Sequence, residues 1–121
     1  MTKASAIYNF WNRFLTAYEE NTAPEDATFP YITYQLVTDS FNNEVQLTAS
    51  VWYRGESWVQ ANAKAEEISK SIGRGGVFLD CDGGKIWLKR GTPFAQNMGD
   101  DTDNLIKRKY LNITAESMTA D

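Results

Sequence analysis

The side chains that most enzymes use for proton transfer and nucleophilic attack are scarce in this sequence. Its 121 residues include one cysteine, Cys81, and no histidine. Histidine is the usual proton carrier near neutral pH and the group that activates a serine or cysteine nucleophile. Ser–His and Cys–His catalysis are therefore excluded. We expect a non-catalytic protein with no metal and no cofactor, in which Cys81 is buried and inert.

Five aspartates in two groups are the remaining candidates for acid–base or metal chemistry. Asp80 and Asp82 lie in a stretch that continues with two glycines, which is typical of a tight hairpin turn. Asp100, Asp101 and Asp103 resemble a fragment of a calcium-binding loop, but the distal glutamate and flanking helices of an EF-hand are missing. The favoured interpretations are a turn for the first group and a solvated acidic loop, facing a partner or a pore, for the second.

Tryptophans and basic residues are the candidates for binding. Trp52 and Trp87 fall on strand positions that otherwise carry polar residues, so they belong either to a partner surface or to a face covered by a helix. Residues 107–109 are all basic, but neighbours on a strand point to opposite faces. This favours an edge strand protected by lysines over a nucleic-acid patch. The net charge of −4 also disfavours nucleic-acid binding.

Hydrophobic spacing predicts two helices. The first runs from Ala4 to Tyr18, with its apolar residues along one face. The second begins at Ser57 with a capping box to Gln60 and ends at Gly73. Residues 74–76, Arg-Gly-Gly, follow this helix instead of preceding one, so they do not form a phosphate cradle at a helix N-terminus.

Five strands are predicted around these helices. They are Tyr31–Val37, Glu44–Arg54, Val77–Cys81, Lys85–Arg90 and Leu105–Thr114, and a turn at Asp39–Asn43 joins the first two. Strict alternation over Glu44–Arg54 indicates a hairpin with one buried face. The order helix, two strands, helix, three strands predicts one α+β domain over residues 1–121, with two helices packed on an antiparallel or mixed sheet.

The remaining segments are expected to be irregular. Gly91–Asn104 lacks hydrophobic periodicity and is predicted to be a long loop that is either functional or mobile. Residues 1–3 and 115–121 are predicted to be frayed. No apolar run approaches the about 20 residues that a membrane-spanning helix needs, so no membrane partner is expected.

This pattern resembles the tail-terminator, or tail-completion, proteins of long-tailed bacteriophages and the equivalent minor tail proteins of prophages. The resemblance rests on the amphipathic N-terminal helix and on Phe29-Pro30-Tyr31-Ile32-Thr33-Tyr34 opening a hairpin. The alternating strand over Val45–Trp52, the helix from Ser57 to Ile72 and the short strand pairs that close the chain also match. It implies a hexameric ring that caps the tail tube and joins it to the head connector.

The resemblance implies contacts with copies of the same chain, with the tail-tube protein and with a head-completion protein, while DNA passes through the ring without specific binding. The expected location is the virion tail, after synthesis in the cytoplasm of a bacterial host. The alternatives are a small adaptor that binds one protein partner and another head–tail joining protein. The candidate partner-facing or lumen-facing residues are Trp52, Trp87, Arg90, Phe94, Asn97, Asp100, Asp101 and Asp103.

Overall fold

The computed structural model describes residues 1–37, 44–100 and 102–119, which contain two helices and six strands. In chain order these elements are α1 (Lys3–Asn12), β1 (Ala17–Glu19), β2 (Tyr31–Tyr34), β3 (Glu44–Arg54), α2 (Val59–Ile72), β4 (Val77–Cys81), β5 (Gly84–Met98) and β6 (Ile106–Thr119). The predicted turn at Asp39–Asn43 lies outside the described residues. An α+β fold is confirmed, and the predicted order of elements matches apart from the added short strand β1.

The strands form one mixed sheet in the order β1-β2-β3-β6-β5-β4. The first pair is parallel and the others are antiparallel. The two central strands, β3 and β6, are in register over eleven residue pairs, from Glu44↔Glu116 to Arg54↔Ile106. This central ladder fixes which side chains share a face, because directly opposed residues in an antiparallel pair point the same way.

Both helices lie on the same face of the sheet. The alternate residues Leu47, Ala49 and Val51 of β3 point into the core, as the strict alternation predicts. One cluster of buried residues joins these side chains to α1 and α2; its members include Ile7, Phe10, Trp11, Ile32, Tyr34, Ile68, Ile72, Ile86, Leu88, Leu111 and Ile113. Trp11 of α1 belongs to this core, since only 1% of its surface is exposed.

The second helix lies on the sheet through small residues. Ala61 and Ala65 are buried between Trp58 and Ile68 on its sheet-facing side. Gly73 ends the helix with a φ of 76°, a backbone conformation that glycine adopts at little cost, and its N–H donates to the Ser69 carbonyl. The predicted end of this helix is confirmed.

The start of α2 differs from the predicted capping box. The helix begins at Val59, and the hydroxyl of Ser57 accepts the N–H of Val59 at 3.1 Å. The bond therefore spans two residues, where the capping box from Ser57 to Gln60 requires three.

The first helix is shorter than predicted, ending at Asn12 instead of Tyr18. The side-chain carbonyl of Asn12 accepts the N–H of Ala17, which turns the chain, and the Thr16 carbonyl then accepts the N–H of Ile32. From Ala17 the chain pairs with β2 as strand β1. The apolar spacing continued beyond the helix because Phe14 and Leu15 still pack against the core from the turn.

Two segments predicted to be irregular belong to the sheet. Most of Gly91–Asn104 continues strand β5 as far as Met98, since Ala95–Met98 pairs with β6 beyond a bulge. Glu116 pairs with both Glu44 and Trp87, and the ladder reaches Thr119, so the predicted fraying after Thr114 is wrong over residues 115–119. Residues 120 and 121 lie outside the described chain.

Other boundaries are also corrected. The main chain of Met1 binds Asp82, and Thr2 caps α1 by accepting the N–H of Ser5, so residues 1–3 are not frayed. Strand β2 stops at Tyr34, three residues before the predicted end. Cys81 is only partly buried, contrary to the expected full burial.

The basic run over residues 107–109 lies on a central strand, not on an edge strand as predicted. Strand β6 is paired on both sides, with β3 and with β5. Lysines commonly protect exposed strand edges, which made an edge position plausible. Here Lys107 and Lys109 point to the helix side, where Lys109 binds Asn62 of α2, and Arg108 points to the opposite side.

Truncating Ile68 should destabilise the fold, because this α2 side chain is fully buried against the sheet. Ile68→Ala should lower the free energy of unfolding by about 2–5 kcal/mol. Val59→Ala on the same helix, where the side chain is 70% exposed, should change it by less than about 0.5 kcal/mol. Urea denaturation followed by circular dichroism measures both values. Equal effects from the two substitutions would contradict the packing described.

Candidate interaction face

The sheet face opposite α1 and α2 is not covered by a helix in the described chain. We call this surface the open face; it is formed by the side chains that alternate with the core residues, and its large aromatic members include Trp52, Tyr110 and Trp87. Most of its strand residues are polar, and several are aromatic. An uncovered sheet surface that carries aromatic side chains is typical of a binding surface.

A row of large side chains crosses four strands at one end of the open face. Tyr31 lies opposite Trp52, Trp52 opposite Arg108, and Arg108 opposite Met98. The rings of Tyr31 and Trp52 stack, with centroids 6.0 Å apart and planes inclined by 15°. The Trp52 indole N–H donates to the Thr33 hydroxyl at 2.9 Å, which fixes the orientation of the ring. These contacts therefore fix the arrangement of the row in the free protein.

Arg108 is the central cation of this row. Its guanidinium carbon lies 4.8 Å from the ring centre of Trp52 and 5.3 Å from that of Tyr110, and its Nε donates to the Ser50 hydroxyl at 2.9 Å. Among the described residues no carboxylate forms an ion pair with Arg108. Two aromatic rings and one hydroxyl therefore orient the guanidinium and leave its terminal nitrogens available to an incoming acceptor.

A second aromatic pair lies at the other end of the open face. Phe78 of β4 stacks on Trp87 of β5, with ring centres 5.5 Å apart, and Phe78 is 51% exposed. The ammonium of Lys89 lies 4.3 Å from the ring centre of Trp87. Lys85 pairs with Asp80 and Lys89 with Glu44, while Glu116, directly opposite Trp87, forms no ion pair within the described chain. The two ends of the face thus present different chemistry, the cation of Arg108 at one and two ion pairs with an additional carboxylate at the other.

Trp52 and Trp87 both lie on the open face, half-buried among their neighbours. They were predicted to be either partner-facing or covered by a helix. The interpretation that a helix covers them is wrong for the described residues. Trp87 also has a structural role, because its indole N–H donates to the Gly75 carbonyl at 2.8 Å and holds the turn after α2 against β5.

The other candidates between Arg90 and Asn97 lie elsewhere. Arg90 points to the helix side, where it donates to the Ser69 hydroxyl of α2 at 2.9 Å. Asn97 also points to that side and accepts a hydrogen bond from Lys109 at 2.7 Å. Phe94 lies in the bulge and packs half-buried against the core. The structure therefore does not bring these three residues together with Trp52.

The acidic candidates at the β5–β6 connection stabilise the turn itself. One oxygen of Asp100 accepts hydrogen bonds from the Thr102 hydroxyl, the Thr102 N–H and the Asp103 N–H. Asp103 accepts the Leu105 N–H at 2.9 Å and pairs with Arg54 at 3.1 Å. Asp101, the third candidate, lies outside the described residues. The second acidic group therefore forms a turn, as the first was expected to do.

The first acidic group forms a hairpin turn, as predicted. Cys81 pairs with Gly84 across the two turn residues, Asp80 pairs with Lys85, and Asp82 binds the N-terminal amino group. Within residues 1–37, 44–100 and 102–119, no three acidic or cysteine side chains are grouped so that they could hold a metal ion. Over the same ranges, no helix is both long and apolar enough to cross a membrane.

Sequence reasoning did not identify Tyr31 and Arg108 as neighbours of Trp52 on a binding surface. Arg108 lies within the basic run over residues 107–109. That run was assigned to an edge strand, so Arg108 was not considered as part of a binding surface. The signal that could have found it is register: once β3 and β6 are paired at Val51↔Lys109, Arg108 must lie beside Trp52. That long-range pairing joins residues far apart in the sequence, and no local pattern encodes it.

No protein-family model matches the sequence, and no match was found among curated proteins.

Asp100 should titrate below the ordinary range of an aspartate. The Thr102 hydroxyl, followed by the N–H groups of Thr102 and Asp103, lowers the pKa of Asp100 by hydrogen bonding to its ionised form. The resulting stabilisation of the turn is complete above the ordinary aspartate pKa and is lost as the pH falls through the lowered value. Carbon-13 NMR of the side-chain carboxyl measures this titration.

Thr102→Ala should move the pKa of Asp100 upward towards the ordinary value, because it removes the largest cause of the shift. Thr28→Ala, at an exposed threonine far along the chain, is the matched control and should leave the titration unchanged. An unshifted Asp100 in the wild-type protein would contradict the hydrogen-bonded turn.

Proposed function

We propose that this chain is a non-catalytic assembly subunit that binds copies of itself and neighbouring proteins through the open face. The observation that carries the proposal is the row of Tyr31, Trp52, Arg108 and Met98 on an uncovered sheet surface. Tryptophan, tyrosine and arginine dominate the energetics of protein interfaces, because they bury a large area and retain specific polar contacts.

We further propose that the assembly is the ring of a phage tail terminator, which caps the tail tube and contacts the head connector. The support is the resemblance of the helix, hairpin and strand segments to that family. The asymmetry of the open face adds to it, since one end carries the cation of Arg108 and the other the Phe78–Trp87 pair beside the carboxylate of Glu116. Rings require head-to-tail contacts between two different surfaces, whereas a twofold dimer uses one surface twice.

In this proposal the acidic turn containing Asp100 and Asp103 faces the DNA that passes through the ring. Ionised carboxylates repel phosphate, so such a turn would prevent retention of the DNA. Both carboxyl groups are ionised at neutral pH, since even the ordinary aspartate pKa of about 3.9 lies far below it. The protein would then reside in the virion tail, after synthesis in the host cytoplasm.

Reversing the charge of Arg108 should prevent self-association without unfolding the chain. Arg108→Glu removes the stacked cation from the centre of the row, and Trp52→Ala removes the ring beneath it; each should weaken assembly by about tenfold or more. Tyr8→Ala is the matched control, because this aromatic residue is 40% exposed on α1, away from the open face.

Native mass spectrometry of the protein, alone and mixed with a tail-tube protein, measures assembly, and circular dichroism verifies folding. We expect closed rings of the wild type and the control, and their loss in the two open-face variants. A wild-type protein that stays monomeric in both samples would contradict the ring. It would favour the adaptor that binds a single protein partner.

A further inference from the structure

A cavity of about 430 Å³ lies beside the bulge in β5. The β5–β6 ladder stops at Arg90↔Ile113 and resumes at Ala95↔Leu111, so residues 91–94 of β5 lie opposite the single residue Asn112. The lining includes three basic side chains, a hydroxyl and an apolar wall, from Arg74, Lys89, Arg90, Thr92, Pro93 and Phe94. No carboxylate belongs to the described lining, although the chain as a whole carries a net charge of −4.

The turn that carries Arg74 is fixed against β5. The Trp87 indole N–H donates to the Gly75 carbonyl at 2.8 Å. The next residue, Gly76, approaches β5 so closely that a Cβ there would lie 2.5 Å from the Leu88 carbonyl oxygen. Because the turn is held by a hydrogen bond and by close backbone contact, Arg74 is placed at the cavity in the free protein.

The positive charge of the cavity is only partly compensated. Lys89 pairs with Glu44 at 3.5 Å. Glu44 lines an adjoining cavity and not this one. Arg90 donates to the Ser69 hydroxyl, which is neutral. Across the described part of the chain, neither Arg90 nor Arg74 forms an ion pair with a carboxylate. Two arginines that line this cavity therefore have no carboxylate counter-charge in the described chain.

We propose that this cavity binds a small phosphate monoester. Such a group carries a charge of about −1.5 to −2 at pH 7, which matches two uncompensated arginines better than the single charge of a nucleic-acid phosphodiester or a carboxylate. Guanidinium groups bind phosphate oxygens through paired hydrogen bonds. The Thr92 hydroxyl adds a further donor.

The size and the apolar wall of the cavity indicate that the phosphate is attached to an organic group. A volume of about 430 Å³ lies within the usual range of small-molecule sites, which is about 300–1,000 Å³. Pro93 and Phe94 provide a surface for the organic part, while the arginines hold the phosphate. This site is separate from the row around Arg108 and goes beyond the proposed assembly role.

Binding of phenyl phosphate tests the proposal, because this probe combines a phosphate monoester with an apolar ring. Isothermal titration calorimetry gives its affinity, and NMR of the Trp87 indole N–H reports binding next to the Gly75 turn. We expect saturable binding to the wild-type protein that shifts the Trp87 signal. Arg74→Gln should weaken binding by about tenfold or more, the usual loss when a charged hydrogen-bonding group is removed.

Lys70→Gln is the matched control, because Lys70 is a basic residue near the same end of α2, with its side chain 78% exposed and outside the cavity. It should leave the affinity unchanged. Arg90→Lys, which keeps the charge but loses the planar fork, should also weaken binding and provides a second test of the site. Thermal unfolding of each variant verifies that the fold is intact.

Three results would overturn the proposal. The first is no binding of phenyl phosphate to the wild-type protein, and the second is equal weakening by Arg74→Gln and Lys70→Gln. The third is tighter, Arg74-dependent binding of a single-stranded oligonucleotide without a terminal phosphate, which would assign the cavity to the nucleic-acid backbone. None of these results depends on whether the protein forms rings.

Discussion

Two helices cannot cover both faces of a six-stranded sheet, and the remaining features of this molecule depend on that limit. Six strands about 4.8 Å apart span about 24 Å, whereas a helix with its side chains is about 10–12 Å wide. The combined width of two helices is therefore about that of one face. Since α1 and α2 both join the same buried cluster, the opposite face must be stabilised by its own side chains or by a partner.

The open face is stabilised by contacts among its own side chains. Trp52 is fixed by Tyr31 and Thr33, and Arg108 is fixed by Trp52, Tyr110 and Ser50. A preorganised row of this kind loses little side-chain entropy when a partner binds, which favours affinity. The same contacts keep the aromatic groups partly buried, so the open face is stable without a partner.

The sequence allowed the element types and the core to be predicted where hydrophobic periodicity was continuous. Strand β3 matches its predicted bounds, as do β4 and the end of α2 at Gly73. The predicted element bounds were wrong where pairing between distant segments determined the structure. Ala17 lies in a strand because hydrogen bonds of Asn12 and Thr16 turn the chain towards β2. The Gly91–Met98 segment, which lacks hydrophobic periodicity, belongs to the sheet because it pairs with β6. The same limit applied to the candidate interaction face. Alternation identified Trp52, but its neighbour Arg108 required a register that local sequence does not specify.

Hydroxyl-radical footprinting of the free and assembled protein tests most directly whether the open face is the contact surface. Radicals modify exposed aromatic and sulfur side chains, so Trp52, Tyr110 and Met98 report on the open face and Tyr8 reports on α1. We predict that assembly protects the first three and leaves Tyr8 as reactive as in the free protein. Protection of Tyr8 with unchanged reactivity at Trp52 and Met98 would contradict it.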